Sequence, residues 1–338
     1  MLSIEGYDLL GQGRPEGIRY AWRDDRFQNL IESASFNTRT KLGGEKICAY
    51  TTSVSSGCIL KSKEEPCLFC RTGQVLPFGG LLSYKEIAKQ NVFMVLADMH
   101  CDDNPSFANR EREFAYMGQG EPGYSYELVR LAIELTNKAM SKLGQNVYRH
   151  ILATSGVPSA IRAFKRDLKG FFSERVTLHL SVHANEDRCL LMPIDRRFPL
   201  SDVLAEADEV ADVTGEKTCV GVMLFWNFRP NNGTLVYSNT VNRVSSLLDK
   251  LNPDKYRLSF CEYNPAVDVG KADDYPKNEA EALVCLAKKK GFEVKFFSSF
   301  GRDELSACGL LGGKKPSRVA SEKWRQLDAL AEELINDD

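Results

Sequence analysis

No stretch of this chain approaches eighteen consecutive apolar residues, so nothing in it reads as a membrane-spanning helix. Residues Met1 to Gly13 lack a basic region followed by an apolar one. No secretory signal is expected, and the chain reads as cytoplasmic. Internal repeats and low-complexity tracts are absent as well. Net charge is only −2, which excludes a global basic footprint for nucleic acid but leaves a local patch open. What is plentiful is cysteine, with ten residues in 338. A chain of this length buries a sizeable core and needs no disulfide staples. In a reducing compartment, clustered cysteines point instead to metal binding or catalysis.

Strand-like and helix-like segments alternate from about residue 46 to 300, which predicts a parallel sheet covered by helices. Strands are expected at 46–53, 113–118, 149–154, 176–183, 218–226, 256–262 and 293–298. Ser83 and Glu86 form a capping box ahead of Ala88, Val92, Val95 and Met99. A helix over 126–143 should stop at Gly144, and Pro158 should open another. Ser201 is expected to cap 202–213, Gly291 to end 277–290, and 317–336 to form a last amphipathic helix. The first 30 residues read as irregular. In Val176–His183, Val176, Leu178, Leu180 and Val182 alternate with Thr177, His179, Ser181 and His183. One face should meet helices and the polar face should line a barrel, where such folds keep their sites.

Three cysteines follow the first of these strands with the spacing Cys58-x8-Cys67-x2-Cys70. A C-x2-C pair brings two thiolates to one metal centre, and the same loop supplies a third. Structural zinc and ordinary iron–sulfur clusters take four protein ligands. Three thiolates on a cluster leave one iron open. A zinc site with a distant fourth ligand is the competing reading of the cysteines alone. Four strand ends then carry polar or glycine-containing turns: Gly118-Gln119-Gly120-Glu121-Pro122, Thr154-Ser155-Gly156, Ser181-Val182-His183 and Tyr263-Asn264-Pro265. The glycines are expected to let a ligand approach bare backbone, and a barrel mouth of this kind suits a polar cofactor.

These motifs resemble the radical S-adenosylmethionine (SAM) methylases of ribosomal-RNA adenosine, the RlmN/Cfr family, from about residue 30 to 312. The likeness is carried by Ile31-Glu32, Cys48, the three-cysteine loop with Thr72-Gly73, and Gly118 to Pro122. It continues through Thr154 to Gly156, Leu180 to Ala184, Leu191 to Ile194, Asn264-Pro265 and Ala307-Cys308-Gly309-Leu310. The resemblance implies an α/β fold, a partial (β/α)6 TIM-like radical SAM barrel over 46–312. An N-terminal extension over 1–45 and a C-terminal helix over 313–338 flank it. Cys58, Cys67 and Cys70 would ligate a [4Fe–4S] cluster. Gly120 and Glu121 would hold the methionine end of SAM, and Ser155, Ser181, His183 and Asn264 the rest. Cys308 would be the cysteine that is itself methylated, Cys48 its resolving partner, and Glu32 the proton acceptor. The implied activity is methylation of an sp2 carbon, an adenine in RNA, with flavodoxin or ferredoxin as reductant.

Two departures matter. The family's cluster loop is C-x3-C-x2-C, so five extra residues lie here between Cys58 and Cys67, which should bulge at little entropic cost. The family also carries an RNA-contacting domain ahead of its Ile-Glu pair, whereas 30 residues precede Ile31. A small molecule or peptide is therefore the alternative substrate. An exposed carboxylate is the competing reading of Glu32, and a core thiol that of Cys48. His179 is expected to be a hydrogen-bonded interior histidine. Cys101, Cys189, Cys219, Cys261 and Cys285 read as packing, His100 with Asp102-Asp103 as a solvated loop, and the basic runs Arg162–Lys169 and Lys314–Arg325 as solvated faces.

Overall fold

The computed structural model describes the chain except residues 1, 11–16, 38, 42–43, 101–109, 186, 232, 298–310 and 338. Seven parallel strands form its centre: β4 (Cys48–Thr51), β5 (Arg112–Tyr116), β6 (Val147–Thr154), β7 (Val176–Ser181), β8 (Thr218–Leu224), β9 (Tyr256–Glu262) and β10 (Val294–Phe297). Each lies within two residues of its expected limits; β4, β5, β7 and β8 end two residues early. Their C-terminal tips are turns rather than strand. Three antiparallel strands extend the sheet beyond β4: β1 (Ser3–Leu10), β2 (Gly17–Arg23) and β3 (Ile31–Phe36). With the short β11 (Arg318–Val319) the order is β10-β9-β8-β7-β6-β5-β4-β3-β2-β1-β11. No hydrogen-bonded closure joins the two edges among the described residues.

The antiparallel strands correct the expectation of an irregular N-terminus. Residues alternate between buried and half-exposed along β1, as strand geometry requires. The buried positions, however, include Gly6 and Asp8 beside Ile4 and Leu10, and β2 buries Arg19. Polar residues on the inner face conceal the period that an apolar face would display.

Helices cover the parallel strands. They are α1 (Ile59–Ser62), α2 (Arg71–Val75), α3 (Tyr84–Met99), α4 (Tyr126–Lys142), α5 (Pro158–Asp167), α6 (Arg188–Leu191), α7 (Leu200–Thr214), α8 (Val241–Leu248), α9 (Lys277–Lys289) and α10 (Glu322–Asn336). The Ser83–Glu86 capping box is present at α3. Gly144 and Gly291 both take left-handed conformations after their helices, which a glycine adopts without strain. Ser201 is not the cap of α7: Pro199 holds that place, and Ser201 lies within the first turn. Buried Lys89 of α3 donates to the Leu2 carbonyl (2.7 Å) and Glu332 of α10 (2.6 Å), which fastens both ends of the chain to the same helix.

One buried ionic group ties the antiparallel strands together. Arg19 on β2 pairs with Asp8 on β1 and Glu32 on β3. It also donates to the carbonyl of Lys314 (3.0 Å), while Asp8 accepts from the Ser317 amide (2.8 Å). Removing one partner of a buried pair leaves an uncompensated charge. Arg19→Met, which strands two carboxylates, should therefore destabilise the fold by about 3–5 kcal/mol in denaturant unfolding. The triple change Asp8→Asn, Arg19→Met, Glu32→Gln should recover a large part of that loss. A single variant as stable as the parent would show that the network is structurally idle.

Candidate active site at the barrel mouth

The cysteine loop leaves the C-terminal end of β4, as a site on a parallel barrel requires. Cys58 and Cys67-x2-Cys70 bracket the five extra residues, which form the helical turn α1 and the bend at Glu64. Gln74 donates to the Cys67 carbonyl (2.9 Å), and Leu68 donates to that of Leu191 on α6 (2.9 Å). Phe69, between two of the cysteines, meets the His183 ring edge-on at 5.1 Å. No disulfide joins the described cysteines to one another; Cys285 is exposed, so it is not the packing residue expected.

Cys58, Cys67 and Cys70 are neighbours. Burial pushes the Cys58 thiol up, and Cys70 and Glu121 add to the shift. Burial also raises Cys67 well above the usual range, together with Cys70, Cys58 and Glu121. Among the described residues no three His, Cys, Asp or Glu side chains converge as a single-ion site. A closed zinc site would need such convergence, whereas a cluster spreads its thiolates over separate irons. The donor set, three cysteines in one loop, fits an iron–sulfur cluster.

The four strand ends come together around this loop, but their side chains serve the backbone. Glu121 accepts from the Gly123 amide (2.8 Å) and Thr154 Oγ1 with one oxygen. The other oxygen accepts from the Ser155 amide (2.8 Å) and hydroxyl (2.6 Å). A carboxylate offers about four acceptor positions, so Glu121 is engaged as a brace between the ends of β5 and β6. Buried Arg188 does the same from α6. It donates to the carbonyls of Ser155, Ser181 (3.3 Å) and Val182 (3.3 Å) and pairs with Asp195 at 2.6 Å. His183 has a positive φ of 62°, is buried, and accepts at Nδ1 from the Met223 amide (3.1 Å). Burial and Arg188 hold its pKa down at about 3, so its ring is neutral. Asn239 fixes its carbonyl (2.8 Å). Asn264 lies buried just beyond β9. Arg188 and Asn239 were not expected; the sequence signal for Arg188 is the one arginine inside the 180–194 motif.

A Cβ on Gly118 would stand 2.6 Å from Ser53 Oγ, and one on Gly120, at φ 111°, 2.4 Å from Ser55 Oγ. Both glycines admit the chain's own 52–55 segment. Gln119 between them donates to Glu32 (3.1 Å) and to the Leu30 carbonyl (3.1 Å).

Glu32 is fully buried, which rules out the exposed-carboxylate reading. Its oxygens are held by Arg19, Gln119 and the Gly313 amide (2.7 Å). Thr72, beside the cluster loop, donates to the Leu311 carbonyl (2.6 Å). The segment 311–313 is thus pinned from two sides at the mouth. Cys308 lies outside the described residues, as do Cys101 and Asp102-Asp103. Cys48 needs correction as well. It is the first residue of β4, at the end away from the cysteine loop, and it is fully buried. Its thiol bonds to Asp98 of α3, so it faces the helix layer. Burial and Asp98 raise its pKa to about 11. A resolving cysteine must meet its partner at the mouth, and Cys48 stands at the far end of β4. The basic run from Arg162 is neutralised by Glu206 and Glu209, as a solvated face should be.

No family model matches the chain. The ribosomal RNA large subunit methyltransferase Cfr of Staphylococcus aureus is 26% identical over 287 residues, covering 82% of this chain and 72% of that protein. A "probable dual-specificity RNA methyltransferase RlmN" from Frankia casuarinae is 30% identical over 275 residues, 79% of this chain and 61% of that one. The crystal structure of a radical SAM methyltransferase from Sphaerobacter thermophilus superposes with a TM-score of 0.71 at 20% identity, covering 92% of this chain and 82% of that one. The likeness first seen in short motifs therefore extends over about four-fifths of the sequence: the chain is a homologue of the Cfr and RlmN methyltransferases and has the fold of a radical SAM methyltransferase.

Proposed function

We propose that this chain is a radical SAM methyltransferase that methylates an sp2 carbon of an adenine in RNA by way of an S-methylated Cys308. The observation that carries the reading is the trio of neighbouring cysteines on one loop, set against strand ends already braced at the C-terminal face. Cys58, Cys67 and Cys70 would hold a [4Fe–4S] cluster, and the main chain and side chains at Gly120, Ser155, Ser181, His183 and Asn264 would bind SAM. When bound, cluster and SAM together supply reductive cleavage of SAM and hydrogen abstraction. Glu121 and Arg188 keep the strand ends in place, so that little reorganisation accompanies the reaction. Cys308 would take a methyl group as thiolate, a role supported by the sequence likeness. Glu32 we read as a clamp on the 311–313 segment, since donors already occupy its oxygens. A flavodoxin or ferredoxin would supply electrons.

A second reading, a small-molecule or peptide substrate with the same mechanism, has one observation in its favour. The pocket at the ends of β8 and β9 is lined by Glu262, Asp273 and Asp274 beside Tyr263 and Tyr275. Such a rim repels RNA phosphates.

Protein purified without oxygen should carry about four irons and four sulfides per chain and cleave SAM under a strong reductant. Cys58→Ala should lose both properties while keeping its circular dichroism. Iron-free wild-type protein would end the proposal. Cys308→Ala should retain the cluster and SAM cleavage yet yield no methylated product by nucleoside mass spectrometry. Product from that variant would refute the cysteine intermediate. RNA affinity that falls steeply between low and moderate salt would support RNA over the second reading, and salt-independent or absent binding would favour the latter.

A further inference from the structure

Arg71 Nη1 and His179 Nε2 are both closed off from solvent without a hydrogen-bond partner. The histidine corrects the expectation of a hydrogen-bonded interior ring. Burial lowers its pKa, and Arg149, Arg257, Arg39 and Lys295 lower it further, so it is neutral. The arginine stands where the mouth is assembled. It follows Cys70 directly and opens α2.

From there Arg71 meets two other walls of the mouth. Its Nε donates to both carboxylate oxygens of Asp268 (3.1 and 2.8 Å), in the connection that follows Asn264-Pro265. Its guanidinium also lies flat against Gly312: a Cβ there would stand 2.9 Å from Nε and closer still to Cζ and Nη1. Gly312 is not among the glycines of positive φ, so space and not backbone conformation requires it. On either side, Thr72 holds the Leu311 carbonyl and Glu32 holds the Gly313 amide. Three consecutive residues are thus gripped by two neighbours of the cluster cysteines and by the buried carboxylate.

A guanidinium suits this place because its plane can rest on a bare Cα while its edge meets a carboxylate. Stability does not account for it. Asp268 is half-exposed, and such a pair contributes little, whereas a buried N–H without an acceptor is costly. A native fold that retains such a group has another use for it. Cys308 precedes Leu311 by three residues, a span of at most about 11 Å even when fully extended. Where 311–313 sits therefore limits where Cys308 can reach.

We infer that Arg71 is a positioning residue: anchored by Asp268, it seats 311–313 on the cysteine loop and so sets the reach of Cys308 toward the methyl donor. The consequence for Cys308 rests on the methyltransferase reading; the seat does not. Hydrogen–deuterium exchange of the anaerobically purified full chain reads the seat, and peptide mass spectrometry of the same preparation reads the fraction of Cys308 that carries a methyl group. In Arg71→Ala the Gly313 amide should exchange about tenfold faster. The methylated fraction should fall about tenfold, as small misplacements of reacting groups do to rates, with iron and sulfide content unchanged. Asp268→Asn, at an exposed position, should move both readouts in the same direction. Gly312→Ala should do so in the parent and add nothing in Arg71→Ala, where the guanidinium that its Cβ would strike is gone. Parental exchange or a parental methylated fraction in Arg71→Ala, or an equal effect of Gly312→Ala in both backgrounds, would overturn the inference. A parent protein that holds iron but carries no methyl on Cys308 would instead refute the cysteine intermediate, and exchange would still decide the seat.

Discussion

One buried guanidinium holds the mouth to the rest of the fold. Asp8 and Arg19 are cross-strand partners, and Glu32 stands diagonally across from Arg19 on the next strand. Antiparallel pairing brings such diagonal side chains within reach. Two carboxylates on one buried cation would leave negative charge uncompensated, but neutral donors complete the balance: the Ser317 amide on Asp8, and Gln119 with the Gly313 amide on Glu32. Burial alone would raise Asp8, yet the Ser317 bonds and Arg19 outweigh it and hold the carboxyl below its ordinary value. The chain's first strands, its glycine-flanked turn at 118–122 and the segment from Gly313 to Ser317 therefore share one electrostatic balance. Placement of the mouth's last wall depends on strands that contain none of its chemistry.

The mouth uses charge in the same way. Glu121 and Arg188 are buried; Glu121 accepts from amides and hydroxyls of neighbouring turns, and Arg188 donates to carbonyls and to Asp195. Buried charges persist where hydrogen bonds replace their hydration. Fixing turns from below leaves the upper surface, His183 and the ends of β6 and β7, as a rigid frame. A motif residue in such a site acts on the ligand through the turn it holds. Glu121 shows the pattern: its oxygens are taken by Gly123, Thr154 and Ser155, so what it acts on directly is the turns themselves.

The parallel strands and long helices were legible because buried parallel strands read as apolar runs and helix ends carry caps and glycines. The antiparallel strands were not, because Gly6, Asp8 and Arg19 occupy inner positions where apolar residues would mark the period. Cys48 misled for a geometric reason. Ten residues from Cys58 looks short in sequence, yet a strand advances about 3.3 Å per residue, and the four residues of β4 carry it to the opposite end. Its alternation with Ala49 turns it to the helices. The burial of Glu32 was not legible because it depends on a partner 13 residues earlier, which no local pattern announces.

The cysteine loop completes the logic. Cys58 and Cys67 resist ionisation through burial, each other, Cys70 and Glu121, while Arg188 supplies opposing positive charge to Cys67. As neutral thiols they are at rest; as thiolates they would repel one another and the brace beside them. A cluster held among them would make their thiolates favourable together and would release their protons as it bound. The same Glu121 that organises the strand ends raises the cost of an ionised loop without it. Site architecture and cluster binding would then be coupled through a residue that need not touch the cluster.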